Sequence, residues 1–173
     1  MTALQWRVVL LFGALTIVDG QNFDLSMGHA ADSGSTAKAY FAGGCFWCME
    51  EAFEKVDGVI ETVSGYMGGT VKNPTYEEVS AGQTGHAESV EVRYDPAKVT
   101  YTQLLEAFWR NVDPVTPNAQ FCDHGSQYRA AIFYQSEDEK RLAEESKRAI
   151  EQSKRFSTPI VTQVTAASDF FQA

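Results

Sequence analysis

The sequence predicts an α+β domain: a two-layer sandwich with a split β-α-β (ferredoxin-like) core and helices on one face of a mainly antiparallel sheet. Strand-like and helix-like apolar spacings follow one another from residue 37 onward in the order β-α-β-β-α-β-α-β. The segment 86–94 alternates strictly, which sets one face of that strand against a core. A length of 173 residues suits one domain of this kind with a tail.

Lys38 to Ala42 forms the first strand and ends in Gly43-Gly44. From there Phe46, Met49, Phe53 and Val56 recur at helical spacing, and Gly58 stops the helix as a residue suited to left-handed backbone. Val59 to Tyr66 is a strand rich in β-branched residues, followed by a long loop from about 67 to 85 marked by Gly68-Gly69, Asn73-Pro74 and Gly82. In the next strand, Ala87, Ser89, Glu91 and Arg93 share one face, while Glu88, Val90, Val92 and Tyr94 share the apolar one. Thr100 and Gln103 have capping-box spacing ahead of a helix whose Leu104, Leu105, Phe108, Trp109 and Val112 line one side. A second long loop, 113–127, leads to a strand at Tyr128 to Tyr134. Ser136 and Glu139 open a charged helix running to about Phe156, and a strand at Ile160 to Ala166 closes the core.

Composition narrows the function classes. With 44% hydrophobic and 21% charged residues the chain is neither disordered nor a multi-span membrane protein. A formal net charge of −9 argues against nucleic acid as a partner, because such binding draws on Lys and Arg at phosphates. Residues 1–36 read apart from the domain at 37–173. Val8 to Val18 is an apolar run broken only by Gly13 and Thr16, too short for a stable membrane span of roughly 20 residues. It matches the core of a secretory signal, with small-residue cleavage options after Gly20 or Ala30 and a linker at 31–36. The expectation is export to the periplasm or the medium. The alternative is a cytoplasmic protein whose N-terminal strand or helix docks on the domain.

The chemistry concentrates at Gly43-Gly44-Cys45-Phe46-Trp47-Cys48. Cys45 stands where a strand turns through two glycines into a helix, and a helix start carries partial positive charge that favours the reactive thiolate. Cys48 lies one helical turn away, within reach of a disulfide. Two buried, inert cysteines are the bland alternative. A zinc site is another, with Cys45, Cys48 and Cys122 joined by His86 or His124. Glu88, a carboxylate on an apolar strand face, loses solvation and is a candidate proton donor, or else its head reaches water at the strand end. Tyr76 and Tyr128 are hydroxyls near the long loops, and Asp123 serves either the site or a turn.

These residues also carry a family resemblance. Gly-Gly-Cys-Phe-Trp-Cys-Met (43–49), Ser-Gly-Tyr-Met-Gly-Gly (64–69), Asn-Pro-Thr-Tyr (73–76) and Gly-His-Ala-Glu (85–88) resemble the A-type peptide methionine sulfoxide reductases. Tyr-Asp-Pro (94–96), Phe-Cys-Asp-His-Gly-Ser-Gln-Tyr-Arg (121–129) and Ala-Ile-Phe-Tyr (131–134) extend the likeness over about residues 38–171. The resemblance implies that Cys45 is the nucleophile, that Glu88 protonates or hydrogen-bonds the sulfoxide oxygen, and that Tyr76 and Tyr128 bind that oxygen. It implies Asp123 in the substrate pocket, and Phe46 and Trp47 as the apolar wall for the S-methyl group. It further implies the S epimer of methionine sulfoxide, free or in oxidised proteins, as substrate. No resident cofactor or metal is expected, and a thioredoxin-like dithiol supplies the reducing equivalents.

Two departures from the family pattern bear on recycling. Many relatives carry glycine after the Trp, where this chain has Cys48, and place recycling cysteines in a C-terminal tail beyond the position where this sequence stops. The resolving thiol expected here is Cys48, with Cys122 as second choice. A thioredoxin-like thiol-disulfide oxidoreductase is the rival enzyme, since C-x-x-C after a strand suits it. It leaves Glu88, Tyr76 and Tyr128 without a role.

Overall fold

Both faces of the central strand are covered, and that fixes the architecture around it. The structure, a computed structural model, describes residues 35–173. The signal-like run at 8–18 and its cleavage options lie outside the described residues. The elements are β1 (Ala37–Gly43), α1 (Phe46–Glu54), β2 (Val59–Met67), α2 (Tyr76–Ser80), β3 (Ala87–Tyr94), α3 (Tyr101–Asn111), β4 (Ala119–Gln120), β5 (Asp123–His124), β6 (Ala130–Tyr134), α4 (Glu137–Gln152), β7 (Gln163–Ala166) and β8 (Phe171–Gln172), with one 3-10 turn at Ser126–Tyr128.

The main sheet runs β7-β6-β1-β3-β2-β8. Its inner four strands, β6-β1-β3-β2, are antiparallel throughout and are joined through α1 and α3, which is the expected split β-α-β arrangement. β7 adds in parallel to β6, and β8 adds antiparallel to β2. Phe46, Met49 and Phe53 of α1 and Leu104, Leu105 and Phe108 of α3 bury against Phe41, Val90, Val92 and Ile132 of the sheet. Phe41 stacks between Phe53 and Phe108 at 4.9 and 5.4 Å, so the apolar stripes read from the sequence meet in one core.

The other sheet face is covered as well. Tyr40, Ala42, Met67, Ala87 and Phe133 pack under Ala167 and Phe170 of the C-terminal segment. Glu91, which reads as an outward polar residue, is buried there. Its carboxylate accepts from Lys38 Nζ at 3.0 Å, Tyr40 Oη at 2.8 Å and Arg93 Nε at 2.7 Å, so the charge is paired rather than stranded.

Several boundaries differ from expectation. The loop expected at 67–85 contains α2, opened by a capping box in which Thr75 Oγ1 accepts from Glu78 N–H and Glu78 returns to Thr75 N–H. The capping box at Thr100 and Gln103 is present as expected. At α4, Ser136 caps Glu139 N–H, but the Glu139 carboxylate turns back to the Gln135 N–H instead. This helix stops at Gln152 rather than near Phe156, because Lys154 takes a left-handed conformation at φ 55°. The last core strand starts at Gln163, not Ile160, since Val161 N–H donates to Pro114 O outside the sheet.

Candidate active site

The site is organised by the turn between β1 and α1. Gly44 has φ +86°, and a Cβ there would lie 2.5 Å from Gln120 Cβ, so only glycine lets the β4–β5 hairpin seat against the turn. Gln120 is itself buried and locked, donating from Nε2 to Asp113 O and accepting from Asp113 N–H. The chain then enters α1 with Cys45 as its N-cap, half-buried, its carbonyl accepting from Cys48 N–H at 3.1 Å.

The next amide joins the two ends of the chemistry. Phe46 N–H donates to Glu88 Oε2 at 3.1 Å, which brings the carboxyl to the first turn of the helix that carries Cys45. Glu88 is 2% exposed. Burial pushes its carboxyl above the ordinary range; the Phe46 amide opposes this, and the nearby Asp123 charge adds to it. Because burial prevails, the protonated form is favoured in a carboxyl held at the first turn of the helix that Cys45 caps.

Aromatic rings and hydroxyls complete the surroundings. The Phe46 ring lies 5.6 Å from Trp47, 6.0 Å from Tyr66 and 6.4 Å from Tyr76. Phe46 is buried, whereas Trp47 is 66% and Tyr76 50% exposed. The four rings wall an open cleft of about 490 Å³; Cys45 and Glu88 stand beside it rather than in its wall. Tyr76 begins α2, so the Thr75–Glu78 capping box sets its direction. Tyr128 ends the 3-10 turn at 126–128, which Arg129 ties to the segment leading into β3 by donating to Ser126 O at 2.8 Å and Gly85 O at 3.1 Å. Burial raises the Tyr128 hydroxyl, and Glu88, Tyr76, Asp123 and Cys45 all push the same way, so these groups lie within one another's fields.

Cys48 is exposed on the first turn of α1. Desolvation raises its thiol, and the Cys45 sulfur, as neighbouring charge and as hydrogen-bond partner, raises it further. Cys48 therefore keeps its proton more readily than an ordinary thiol. Cys122 is exposed at the tip of the β4–β5 hairpin, one residue before Asp123. His86 is spoken for: Nδ1 accepts from Gly69 N–H at 3.0 Å and Nε2 pairs with Val71 O at 2.8 Å. Among the described residues no group of three His, Cys, Asp or Glu side chains is placed to hold a metal. Tyr66, given no role by sequence reasoning, faces Glu88 directly in the β2–β3 register.

A family model described as peptide methionine sulfoxide reductase matches residues 37–173. The chain belongs to that family. A peptide methionine sulfoxide reductase MsrA of Methanothermobacter thermautotrophicus is 54% identical over 136 residues, covering 79% of this chain and 80% of the relative. The crystal structure of reduced Mxr1 from Saccharomyces cerevisiae matches with a TM-score of 0.75 at 28% identity, covering 82% of each chain. Mxr1 in complex with Trx2 matches in fold, with a TM-score of 0.57 at 20% identity, covering 82% of this chain and 84% of that one.

The protein is therefore an oxidoreductase that reduces methionine sulfoxide to methionine. The thioredoxin-like reading is set aside by that match. Glu88, Tyr76 and Cys45, by contrast, all act electrostatically on the Tyr128 hydroxyl.

Proposed function

We propose that this reductase works through Cys45, Glu88, Tyr76 and Tyr128, with Cys48 as the resolving thiol. The Cys45 thiolate attacks the sulfoxide sulfur while Glu88 gives its proton to the oxygen, and Tyr76 and Tyr128 donate hydrogen bonds as charge grows there. The oxygen passes to Cys45 as a sulfenic acid, the sulfur leaves as the thioether, and Cys45 is oxidised as the substrate is reduced. Cys48 then condenses with the sulfenic acid, forming the disulfide and releasing water. Phe46 and Trp47 receive the S-methyl group, and Asp123 orders the polar side of the pocket. The observation that supports this reading is the Phe46–Glu88 hydrogen bond, since it brings the Glu88 carboxyl to the helix terminus that carries Cys45.

An external dithiol must reduce the Cys45–Cys48 bridge by exchange. The Mxr1–Trx2 complex supports a thioredoxin-type protein in that role. No resident cofactor is required for the sequence of steps. Residues 1–36 support export, with a cytoplasmic location as the alternative; sequencing the mature N-terminus decides, and an intact Met1 to Thr16 ends the export idea.

The activity is tested with dithiothreitol as reductant, on free and peptide-bound methionine sulfoxide of both epimers. The S epimer is reduced and the R epimer is not, and Cys45→Ser abolishes turnover. Full turnover by Cys45→Ser overturns the assignment.

A further inference from the structure

We infer that Tyr66 is a further catalytic residue, its hydroxyl donating a hydrogen bond to the sulfoxide oxygen next to Glu88. The inference rests on the site proposed above. Tyr66 is 1% exposed, yet its hydroxyl has no hydrogen-bond partner among the described residues. A phenol is one donor and one acceptor, and leaving it buried and unpaired is costly, so such a group inside a ligand site points to a partner that arrives with the ligand. Lack of a partner is not enough alone, because the Tyr101 hydroxyl, away from the cleft, shares it.

Position distinguishes Tyr66. It pairs with Glu88 across β2 and β3, so the two side chains rise from the same sheet face as neighbours. Its ring walls the cleft with Phe46, Trp47 and Tyr76. Glu88 and Tyr76 both act on the hydroxyl electrostatically, and burial, the largest influence, keeps it protonated and able to donate. The substrate group suited to it is a strong acceptor with no proton of its own. A sulfoxide oxygen is that acceptor; the thioether product lacks it, so the hydrogen bond favours release of product once the oxygen has moved to sulfur on Cys45.

Tyr66→Phe removes one oxygen atom and keeps the buried ring. We expect kcat/KM for the sulfoxide to fall about 10- to 100-fold, mostly in kcat, with the free enzyme melting no lower than the parent. In a Cys45→Ser background, the same change weakens binding of a methionine sulfoxide peptide and leaves binding of the methionine peptide unchanged. Equal weakening of both peptides, an unchanged kcat/KM, or a lowered melting temperature overturns the inference. Glu88→Gln assayed in parallel separates the two claims. Full activity there sinks the Glu88 assignment, whereas a collapsed Glu88→Gln beside an unaffected Tyr66→Phe sinks only the role of Tyr66.

Discussion

The Phe46 amide donates to Glu88 Oε2 at 3.1 Å, so the helix terminus that carries Cys45 also grips the Glu88 carboxyl. One carboxyl oxygen is held by the backbone. Burial favours the protonated form of the group. Cys45 and the Glu88 carboxyl are thus brought together at the first turn of α1.

Replacing that acid separates sulfoxide chemistry from thiol exchange. Glu88→Gln keeps the Phe46 contact but cannot protonate the departing oxygen, and sulfoxide reduction falls by about 100-fold or more. Exchange of the oxidised enzyme with dithiothreitol stays near the parent rate, followed by thiol release. A Gln variant at full reductase activity rules out Glu88 as the acid.

The raised carboxyl also fixes a pH dependence. As the proposed proton donor Glu88 must start protonated, so kcat/KM is expected to decline as pH rises through its elevated value, and this limb to be absent from Glu88→Gln. Stability follows the same sign. The folded state holds the proton more tightly than the unfolded chain, so the contribution of Glu88 is full below the ordinary carboxylate value and is lost as pH rises to the elevated one. Melting curves across pH therefore show Glu88→Gln gaining on the parent toward alkaline pH. Parallel curves contradict this.

Mass spectrometry after one equivalent of substrate, without reductant, identifies the bridge. Cys45–Cys48 is expected, because the Cys48 thiol lies within hydrogen-bond reach of the Cys45 sulfur. Cys48→Ser leaves a Cys45 sulfenic acid that dimedone traps. A Cys45–Cys122 bridge assigns resolution to the hairpin cysteine.

Gly44 is a structural hinge of the site. Alanine there meets both a left-handed backbone and Gln120 at 2.5 Å, costing about 2 kcal/mol or more of stability and displacing the β4–β5 hairpin with Asp123. Urea denaturation measures the loss; a midpoint equal to the parent's shows the turn to be more tolerant.

Much of this is legible in the sequence because local rules act there. The glycine pair, the apolar stripe from Phe46 and the alternation that aims Glu88 inward each depend on a few neighbouring residues. The missed parts depend on distant ones. The β2–β3 register that sets Tyr66 opposite Glu88 is decided by pairing, not by either strand alone. Glu91 reads as solvent-facing because its three donors come from β1 and from its own strand edge, and only the folded sheet gathers them. β8 is two residues long and gains its order from docking on β2. The five-residue α2 was signalled by Thr75 and Glu78, but so short a helix lacks a periodic stripe.

Single-turnover formation of methionine, with no reductant present, addresses the pairing of Cys45 with Glu88 most directly. The parent should yield one thioether per active site, Cys45→Ser none, and Glu88→Gln the same yield at a rate at least about 100-fold slower. Methionine formed at the parent rate by either variant would contradict a thiolate at position 45 acting with a neutral acid at position 88.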